Sequence, residues 1–224
     1  MIEYLSYFIF FMSLIVSIIY FYIKIKYGFW VIQPVFHIYD IGYMFRSPGI
    51  INHRLPTKNK YTNFTNIETI EYKELPSFLV SKIVKFINIH YFRETDNYFR
   101  VTDTNFAPYF KGHNDISFVS LYNEPIQLFD KTHNKIITEN KIVSVMTTRP
   151  LNVVINNGDK DANFVCYYVD NLCVHKSYRK KGIAPQMIQT HHYNQSHLNK
   201  KISISLFKRE EELTGIVPLC VYST

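Results

Sequence analysis

Cysteine is scarce in this chain, and its arrangement excludes two classes of small protein. The 224 residues contain three cysteines, Cys166, Cys173 and Cys220. No CxxC pair is present, and no cysteine and histidine have the spacing of a zinc site. An odd number of cysteines also argues against a disulfide scaffold. We therefore expect reduced thiols and a chain that is stabilised by a hydrophobic core.

The sequence also contains no internal repeat and no low-complexity linker, and its composition does not change along the chain in a way that would mark a second domain. Hydrophobic residues make up 47% of the sequence, which is enough for one ordinary core. Acidic residues are in the minority, with 18 Asp and Glu against 25 Lys and Arg, and the net charge is +7. This surplus suits an anionic ligand such as a phosphate, an acidic membrane surface or nucleic acid. Charge alone does not choose among these partners.

Charged residues are absent between Tyr4 and Ile23. This stretch of roughly 20 apolar residues has the length that a helix needs to cross the hydrocarbon core of a bilayer. A cleaved signal peptide would carry basic residues before the apolar run, where Glu3 stands instead. We therefore predict a transmembrane anchor over residues 1–26 and one domain over residues 27–224.

The orientation of this anchor follows from the residues behind it. Lys24 and Lys26 come directly after the apolar run, and lysines next to a span favour the cytoplasmic side. We therefore predict a single-pass membrane protein whose C-terminal domain is cytoplasmic. Two sequons for N-glycosylation, beginning at Asn63 and Asn194, would matter only in the reverse orientation, and we interpret them as chance matches.

The rest of the chain predicts an α+β fold. Proline and glycine interrupt residues 27–72, so we expect an irregular segment there. Helices are predicted over 76–92 and 182–197 from helical spacing of apolar residues and from the glycine and proline that open the second helix. Strands are predicted over 116–122, 141–149, 151–155, 164–174, 202–207 and 215–222, with a hairpin turn at 156–159. This order indicates a largely antiparallel sheet flanked by helices.

One segment, from Val169 to Ile188, contains the residues that predict a ligand-binding site. Its sequence VDNLCVHKSYRKKGIAPQMI predicts a strand, a basic turn and then a helix. The N-terminus of a helix presents unpaired backbone N–H groups and a partial positive charge, so it can hold a pyrophosphate. Gly182 allows the close approach of such a group, and Arg179, Lys180 and Lys181 add charged contacts. The turn therefore predicts a phosphate site.

This segment resembles the acyl-CoA pyrophosphate loop of the GNAT superfamily, whose RxxGxA pattern stands here as Arg179, Gly182 and Ala184. The longer stretch from Leu172 to Pro185 is similar to that of N-myristoyltransferase nearly residue for residue. Three further segments resemble that family in the same order: Phe29 and Trp30 with Gln33–Val35, then Asn97–Val101, then Lys141–Pro150. The resemblance covers about residues 27–222 and implies a GNAT fold.

The resemblance also implies a function, which is the transfer of an acyl group from acyl-CoA to an amine, with a peptide N-terminus as one candidate acceptor. The backbone N–H groups of Asn171 and Leu172 would form the oxyanion hole. The co-substrate would be myristoyl-CoA or acetyl-CoA, and neither a metal nor a nucleic-acid partner is expected. The implied acyl-CoA contacts are Phe29, Trp30, Cys173, Val174, Arg179, Lys180, Lys181, Gly182, Ile183 and Ala184.

The chain also departs from the family pattern. N-myristoyltransferase has two GNAT-like halves, and this sequence stops at Thr224, about where the first half ends. The carboxylate that serves as base in the second half therefore has no counterpart. Gly182 stands where that family has a basic residue, which allows a shorter acyl chain than myristoyl. A different class of function thus stays open, a catalytically inactive, membrane-anchored structural or interaction protein, such as an envelope component of a large DNA virus.

Several residues have simpler explanations than catalysis. Cys173 falls within a predicted buried strand, where a cysteine is usually a small core residue. His175, His191 and His192 lack carboxylates at ligand spacing, so we expect surface or capping roles for them. Glu210 to Glu212 form a charge run of the kind that usually marks a solvated turn. Phe29 and Trp30 also fit the aromatic belt expected at a membrane exit.

Overall fold

The computed structural model describes residues 2–26, 28–38, 40–45, 51–91, 100–130, 134–156, 161–208 and 216. The chain divides into two compact units, one formed by Met1–Asn52 with Glu211–Thr224 and the other by His53–Glu210. The two units are described separately below.

The first unit begins with the long helix α1, Ile2–Lys26. Its stretch Tyr4–Ile25 has 22 residues and a mean hydropathy of 2.2, and it is long and apolar enough to cross a membrane. A signal sequence near the N-terminus would have the same length and composition. A short 3-10 helix, Trp30–Ile32, follows, and His37 forms an antiparallel bridge with Ile216.

The second unit contains a five-stranded sheet in the order β1-β2-β3-β4-β5. Neighbouring strands are antiparallel except β4 and β5, which are parallel. The strands are β1 Ile67–Glu71, β2 Phe118–Asp130, β3 Lys135–Asn156, β4 Asp161–Val174 and β5 Ser205–Phe207. The helices are α2 Ser77–His90, α3 Asp103–Phe106 and α4 Ile183–Leu198.

Helices α2 and α4 cover opposite faces of the sheet. The apolar stripe of α2, which includes Ile83 and Ile87, packs in one core cluster with Val119 and Leu121 of β2. Ser120 lies between these two residues and points to the other face, because side chains alternate along a strand. There its hydroxyl contacts α4. The first face is therefore an apolar core, whereas the second combines buried hydrogen-bonding side chains with a smaller apolar cluster of Phe118, Tyr167 and Ile202.

The predicted α+β fold with a mostly antiparallel sheet is confirmed, and so is the helix predicted over residues 76–92. The predicted irregular segment 27–72 was wrong at its end, because it contains β1. The strands predicted separately over 141–149 and 151–155 are one strand, β3. The pairing of β3 with β2 ends at Thr148, two residues before Pro150. Among the described strands Pro150 therefore pairs only with β4, and it does not interrupt β3. There one side of β3 is an edge, where proline is tolerated.

Some predicted features lie outside the described residues. They are the strand over 215–222 except for its single bridge at Ile216, most of the hairpin turn at 156–159, Glu210–Glu212 and the first part of Asn97–Val101. The antiparallel pairing of β3 with β4, which reaches the pair Asn156 and Asp161, confirms that a hairpin joins them.

Candidate active site

Strand β4 contains a bulge at the two residues that were predicted to form an oxyanion hole. Between the paired positions Asp170 and Cys173, β4 has Asn171 and Leu172, whereas β3 has Met146 alone. Asn171 adopts a left-handed backbone conformation with φ of 50°. Two residues opposite one, with the extra residue out of the ladder, define a β-bulge, and bulges re-aim backbone groups next to active sites.

Two buried hydroxyl groups of β3 hold this bulge in place. Thr147 Oγ1 donates to the carbonyl of Asp170 at 3.1 Å and accepts from Asn171 Nδ2 at 3.2 Å. Ser144 Oγ donates to the carbonyl of Cys173 at 2.7 Å. Both hydroxyl side chains are inaccessible to solvent. Side chains therefore satisfy backbone acceptors on both flanks of the bulge.

An ion pair lies beside the same bulge. Arg149 Nε is 3.1 Å from Asp170 Oδ2, and its guanidinium also stands over the rings of Tyr109 and Tyr168. Burial raises the pKa of Asp170, and the hydrogen bond and charge of Arg149 oppose that shift. The carboxylate is thus held by an arginine that is itself fixed on two aromatic rings.

The end of β4 extends beyond its parallel neighbour. β5 pairs with Tyr167–Val169, and in the part of the chain that the structure describes no strand pairs with Asp170–Val174 on that side. The bulge lies in this open portion. Backbone N–H and C=O groups at an unpaired edge are available to an extended ligand.

The basic turn leads directly into α4. Lys180 and Gly182 both have left-handed backbone conformations, with φ of 64° and 75°, and they flank Lys181. Gly182 is the N-cap of α4, and no side chain caps the helix. Lys180, Lys181 and Gly182 are exposed. The arrangement presents the first backbone N–H groups of a 16-residue helix beside two exposed ammonium groups.

Arg179 faces the protein. Its guanidinium donates from Nε to the carbonyl of Val174 at 3.4 Å and from Nη2 to the carbonyl of His90. It therefore joins the turn to the end of β4 and to the C-terminus of α2, where a cation is favoured by the helix dipole. Of the three basic residues predicted to contact acyl-CoA, Lys180 and Lys181 are exposed, whereas the Arg179 guanidinium already bonds to two backbone carbonyls.

Tyr178 organises the cations around the turn. Its hydroxyl donates to Glu124 Oε2 at 2.5 Å, and this hydrogen bond raises the pKa of Tyr178. Lys181 Nζ lies 4.8 Å and Lys141 Nζ 5.3 Å from the centre of its ring. The ring thus holds one lysine of the turn and one of β3 within range of cation–π attraction.

Two histidines, His90 and His175, accept hydrogen bonds from the backbone just before the basic turn. The rings of His90 and His175 have centroids 4.1 Å apart. His175 Nδ1 accepts from the backbone N–H of Ser177, and His90 Nδ1 accepts from that of Lys176. Burial, with the nearby charges of His175 and the basic residues, lowers the pKa of His90 to about 4, and burial and Lys141 lower that of His175. Both rings accept hydrogen bonds only while neutral. The predicted capping role of His175 is confirmed.

The predicted surface or capping role of His191 was wrong. This side chain is 1% exposed and lies between α4 and the sheet. Its Nδ1 is 2.7 Å from Ser120 Oγ, and its Nε2 is 2.9 Å from Thr148 Oγ1 and 3.2 Å from Gln195 Oε1. Burial lowers its pKa to about 3. No local pattern indicated this role, because the partners are far from His191 in sequence except Gln195, one helical turn away.

The structure brings the predicted residues 171–184 together along β4, the turn and α4. Cys173 is 2% exposed, and burial raises its pKa to about 12, which is consistent with a core residue. Ile183 is buried, and Val174 and Ala184 are half-buried. Phe29 and Trp30 belong to the other compact unit, where their rings contact edge to face, and their predicted contact with acyl-CoA stays a prediction.

Sequence reasoning missed several residues that shape this site. They are Thr147, Ser144, Tyr178, Lys141 and His90. Tyr178 could have been found, since it directly precedes the basic turn. The others come from β3 and from α2, and only the fold places them beside it. Among the described residues, no group of three or more His, Cys, Asp or Glu side chains is placed to hold a metal ion.

Comparison with known proteins shows which family and fold this chain is similar to. The family model of myristoyl-CoA:protein N-myristoyltransferase, N-terminal domain, matches residues 58–220. No curated protein sequence matches the chain. The structure is similar to Saccharomyces cerevisiae N-myristoyltransferase with bound myristoyl-CoA, with a TM-score of 0.51, 18% identity and coverage of 80% of this chain and 39% of that chain. A GNAT family acetyltransferase of Staphylococcus aureus has a TM-score of 0.43, 13% identity and coverage of 71% and 98%.

The chain spans about two fifths of the yeast protein's length, since 39% of that chain is covered. The family model extends from residue 58, before β1, to residue 220, and so includes the bulge, the basic turn and α4. Because this match covers most of the chain, the protein belongs to the N-myristoyltransferase family through its N-terminal domain and has that family's GNAT-like fold.

Proposed function

We propose that this protein is an acyl-CoA-dependent N-acyltransferase, which transfers an acyl group from CoA to an amine. The observation that carries the proposal is the family match over a segment in which an uncapped helix, two exposed lysines and an open, bulged strand edge lie in succession. These three features suit the phosphate, pantetheine and thioester parts of one acyl-CoA molecule.

The phosphate end would bind at the start of α4. Backbone N–H groups of Ile183 and Ala184 are the donors nearest the N-cap, and Pro185 loses nothing because the first turn has no intrahelical partner for its nitrogen. Lys180 and Lys181 are exposed and supply charge-assisted contacts to a pyrophosphate. Arg179 would act as a positioning residue that holds the turn against Val174 and His90.

The reacting carbonyl would lie at the bulge. In the proposed reaction, the nitrogen of a neutral amine attacks the thioester carbonyl, a C–N bond forms, the C–S bond breaks, and the amine proton passes to the departing thiolate. Backbone N–H groups at Asn171 and Leu172 would stabilise the oxyanion that develops in the transition state. A rigid bulge suits this role, because preorganised donors need no rearrangement during the reaction.

The co-substrate is proposed as a class, with myristoyl-CoA and acetyl-CoA as the two chain lengths to compare. The yeast relative was solved with bound myristoyl-CoA, and this supports the longer chain. The exposed glycine at the N-cap of α4 is the feature of general GNAT loops, and this supports the shorter one. An amine such as a peptide N-terminus is the proposed acceptor.

We also propose that α1 tethers the enzyme to a membrane, with the domain on the cytoplasmic side. Lys24 and Lys26 at the end of α1 support this orientation. The two sequons give independent support. Asn63 Nδ2 donates to Gln186 Oε1 at 2.8 Å, and Asn194 Nδ2 donates to Thr69 Oγ1 at 2.9 Å. A glycan on either nitrogen would replace one of its two hydrogens and add bulk at a half-buried, hydrogen-bonded side chain.

The binding step can be tested on the full chain in detergent micelles. The melting temperature is measured with acetyl-CoA, myristoyl-CoA and palmitoyl-CoA, and each affinity is measured by calorimetry. A ligand at 100 times its dissociation constant stabilises the fold by about 2.7 kcal/mol. The double variant Lys180→Gln with Lys181→Gln should lose most of this stabilisation. The matched control, Lys200→Gln with Lys201→Gln, removes two exposed adjacent lysines at the other end of α4 and should retain it.

Two outcomes would count against the proposal. If no CoA thioester raises the melting temperature, the enzyme function is wrong. If both double variants weaken binding equally, the lysines of the turn contribute only general positive charge, and the assigned site is wrong.

A second candidate function is a membrane-anchored structural or interaction module without catalysis. The observation that favours it is the use of Arg179, whose guanidinium bonds to two backbone carbonyls and stabilises the fold without any ligand. The two candidates make different predictions for the lysines of the basic turn. The inactive module requires Arg179 for stability but predicts no effect of Lys180 and Lys181 on any ligand.

A further inference from the structure

Lys141, on β3, holds its ammonium group beside the basic turn although it is far from that turn in sequence. Its Nζ lies 5.3 Å from the centre of the Tyr178 ring, and the Nζ of Lys181 lies 4.8 Å from the same centre. The ring is itself fixed, because its hydroxyl donates to Glu124 Oε2. One aromatic ring therefore gathers cations from two separate elements, β3 and the turn before α4.

Within the part of the chain that the structure describes, no carboxylate forms an ion pair with these two lysines. Glu124 is the cross-strand partner of Lys141, but its carboxylate accepts the hydroxyl of Tyr178 instead. Burial and the charge of Lys141 lower the pKa of His175, so the neighbouring imidazole stays neutral and adds no charge. Two ammonium groups that converge without a counterion repel each other and favour an anion beside them.

The position of Lys141 along the sheet indicates which anion it would meet. The bulge of β4 lies opposite Met146, and β4 ends at Val174, opposite Ser144. Lys141 precedes Ser144 by three residues on β3, so it lies past the end of β4, on the side away from the bulge. Going outward from the bulge, the open edge of β4 therefore comes first, and the basic turn and Lys141 lie together beyond its end.

The parts of acyl-CoA follow one another in the same order. The thioester is joined through pantetheine to a pyrophosphate, and the pyrophosphate is joined to a ribose that carries a 3′-phosphate. The pyrophosphate is proposed above to bind at the start of α4 with Lys180 and Lys181. The 3′-phosphate is a monoester, and such a group carries a charge of about −1.5 to −2 at pH 7. It therefore requires a cation beyond those that hold the pyrophosphate.

We infer that Lys141 binds the 3′-phosphate of acyl-CoA and is the residue by which this protein distinguishes CoA from 3′-dephospho-CoA. Its ammonium group would form a charge-assisted contact with the phosphate oxygens. Lys181, beside the same aromatic ring, connects this subsite with the pyrophosphate site. The role rests on the acyl-CoA site proposed above, and it adds a residue from β3, outside the segment 171–184 that the sequence singled out.

The test compares ligands that differ only in the 3′-phosphate. The full chain in detergent micelles is titrated by calorimetry with acetyl-CoA, myristoyl-CoA and the 3′-dephospho form of each. We expect the parent protein to bind a CoA thioester about tenfold more tightly than its dephospho form, which is the effect of one charge-assisted hydrogen bond. Lys141→Gln should lose this preference by weakening only the CoA thioester, and Lys141→Arg should keep most of it.

Two further variants separate the 3′-phosphate contact from general positive charge. Lys135→Gln removes an exposed lysine at the start of the same strand and should leave both affinities unchanged. Lys180→Gln should weaken the CoA thioester and its dephospho form by the same factor, because both contain the pyrophosphate. The melting temperature of each variant without ligand verifies that it folds.

A parent protein that binds both forms equally overturns the role of Lys141. A Lys141→Gln variant that keeps the preference, or that weakens both forms by the same factor, overturns it as well. In each of these cases the acyl-CoA site itself is retained. If neither form of either thioester binds the parent protein, the proposed acyl-CoA site is wrong and the role of Lys141 is refuted with it.

Discussion

At the scale of single residues, the candidate site depends on side chains that hold backbone groups. Thr147 and Ser144 bond to carbonyls beside the bulge, and Arg179 bonds to the carbonyls of Val174 and His90, at the ends of β4 and α2. None of these three side chains is required to touch the reacting atoms. Their proposed effect is to fix the positions of backbone donors, which is what electrostatic stabilisation of a transition state demands.

The variant Thr147→Val tests the support of the bulge. Valine has nearly the same shape but leaves the Asp170 carbonyl without its donor and Asn171 Nδ2 without its acceptor. We expect the free energy of unfolding to fall by about 1–3 kcal/mol. We also expect kcat to fall more than KM changes, because the bulge would act mainly in the transition state. Thr138→Val, on the exposed part of the same strand, is the control. A fall in stability with unchanged kcat would show that Thr147 is only structural.

His191 predicts a dependence of stability on pH. Its folded pKa of about 3 lies below the ordinary value near 6.5, so the unfolded chain binds a proton that the folded chain does not. Its contribution is complete above pH 6.5 and is lost progressively as the pH falls toward 3, with a slope of up to about 1.4 kcal/mol per pH unit. His90, with a pKa of about 4, acts in the same direction.

The variant His191→Gln should therefore be less stable than the parent at pH 7.5 and lose less stability between pH 6.5 and 4.5. Urea unfolding at several pH values measures both quantities. His53→Gln, at an exposed histidine, is the control. An equal slope in the parent and in His191→Gln contradicts the assignment of a buried, neutral imidazole.

At the scale of elements, the central feature is the junction of β4, the basic turn and α4. β4 continues past β5 and bulges, the turn contains two left-handed residues, and α4 begins without a side-chain cap. The left-handed conformation of Lys180 and the uncapped start of α4 each cost stability if no ligand contacts them. Together they arrange an open strand edge and a set of unpaired helix donors in sequence along one chain segment.

Gly182 tests the role of this junction. Its φ of 75° is strained for alanine by about 1–2 kcal/mol, although a Cβ would meet no protein atom within 4 Å. Gly182→Ala should lower stability by about that amount, and Gly182→Asn by less, because asparagine tolerates this conformation better. If a pyrophosphate approaches the turn, both variants should also bind acyl-CoA more weakly, as measured by calorimetry.

Gly112→Ala is the control for this experiment. Gly112 has a similar φ of 80° and equally open surroundings, but it lies outside the turn. It should lose similar stability with no change in affinity for acyl-CoA. Affinity that falls equally in the Gly112 and Gly182 variants would show that strain, and not ligand contact, causes the loss.

The sequence predicted this junction better than the rest of the fold, for physical reasons. The strand, turn and helix of residues 169–188 are contiguous, so their chemistry can be read locally. β1 was missed because it has five residues, two of them glutamates, which are rare in strands. Pro150 suggested a break because an edge position cannot be recognised before the sheet order is known. The support from Lys141, Thr147 and His90 depends on long-range packing, which no local pattern encodes.

At the scale of the whole molecule, the protein combines a domain of the N-myristoyltransferase family with a long apolar N-terminal helix. The family match does not include that helix, since it begins at residue 58. If α1 spans a membrane, acylation would take place close to the bilayer, where long-chain acyl groups are soluble.

The membrane orientation can be tested through the two sequons. With the domain on the cytoplasmic side, translation in the presence of microsomes should give no glycosylated product, and protease should digest the domain. An added sequon ahead of α1, on the opposite side, should be glycosylated and serves as the positive control. A glycan on Asn63 or Asn194 would show that the domain faces the lumen.

The central claim, acyl transfer from CoA to an amine, is tested most directly by product formation. The full chain in micelles is mixed with myristoyl-CoA or acetyl-CoA and with peptides that carry a free N-terminal amine. Release of the CoA thiol is followed by absorbance, and the acylated peptide is identified by mass. The account predicts thiol release that requires the peptide, equals the acylated product, and is lost in the Lys180→Gln, Lys181→Gln double variant. Tight binding of acyl-CoA without thiol release for any amine would contradict it and leave a non-catalytic acyl-CoA-binding protein.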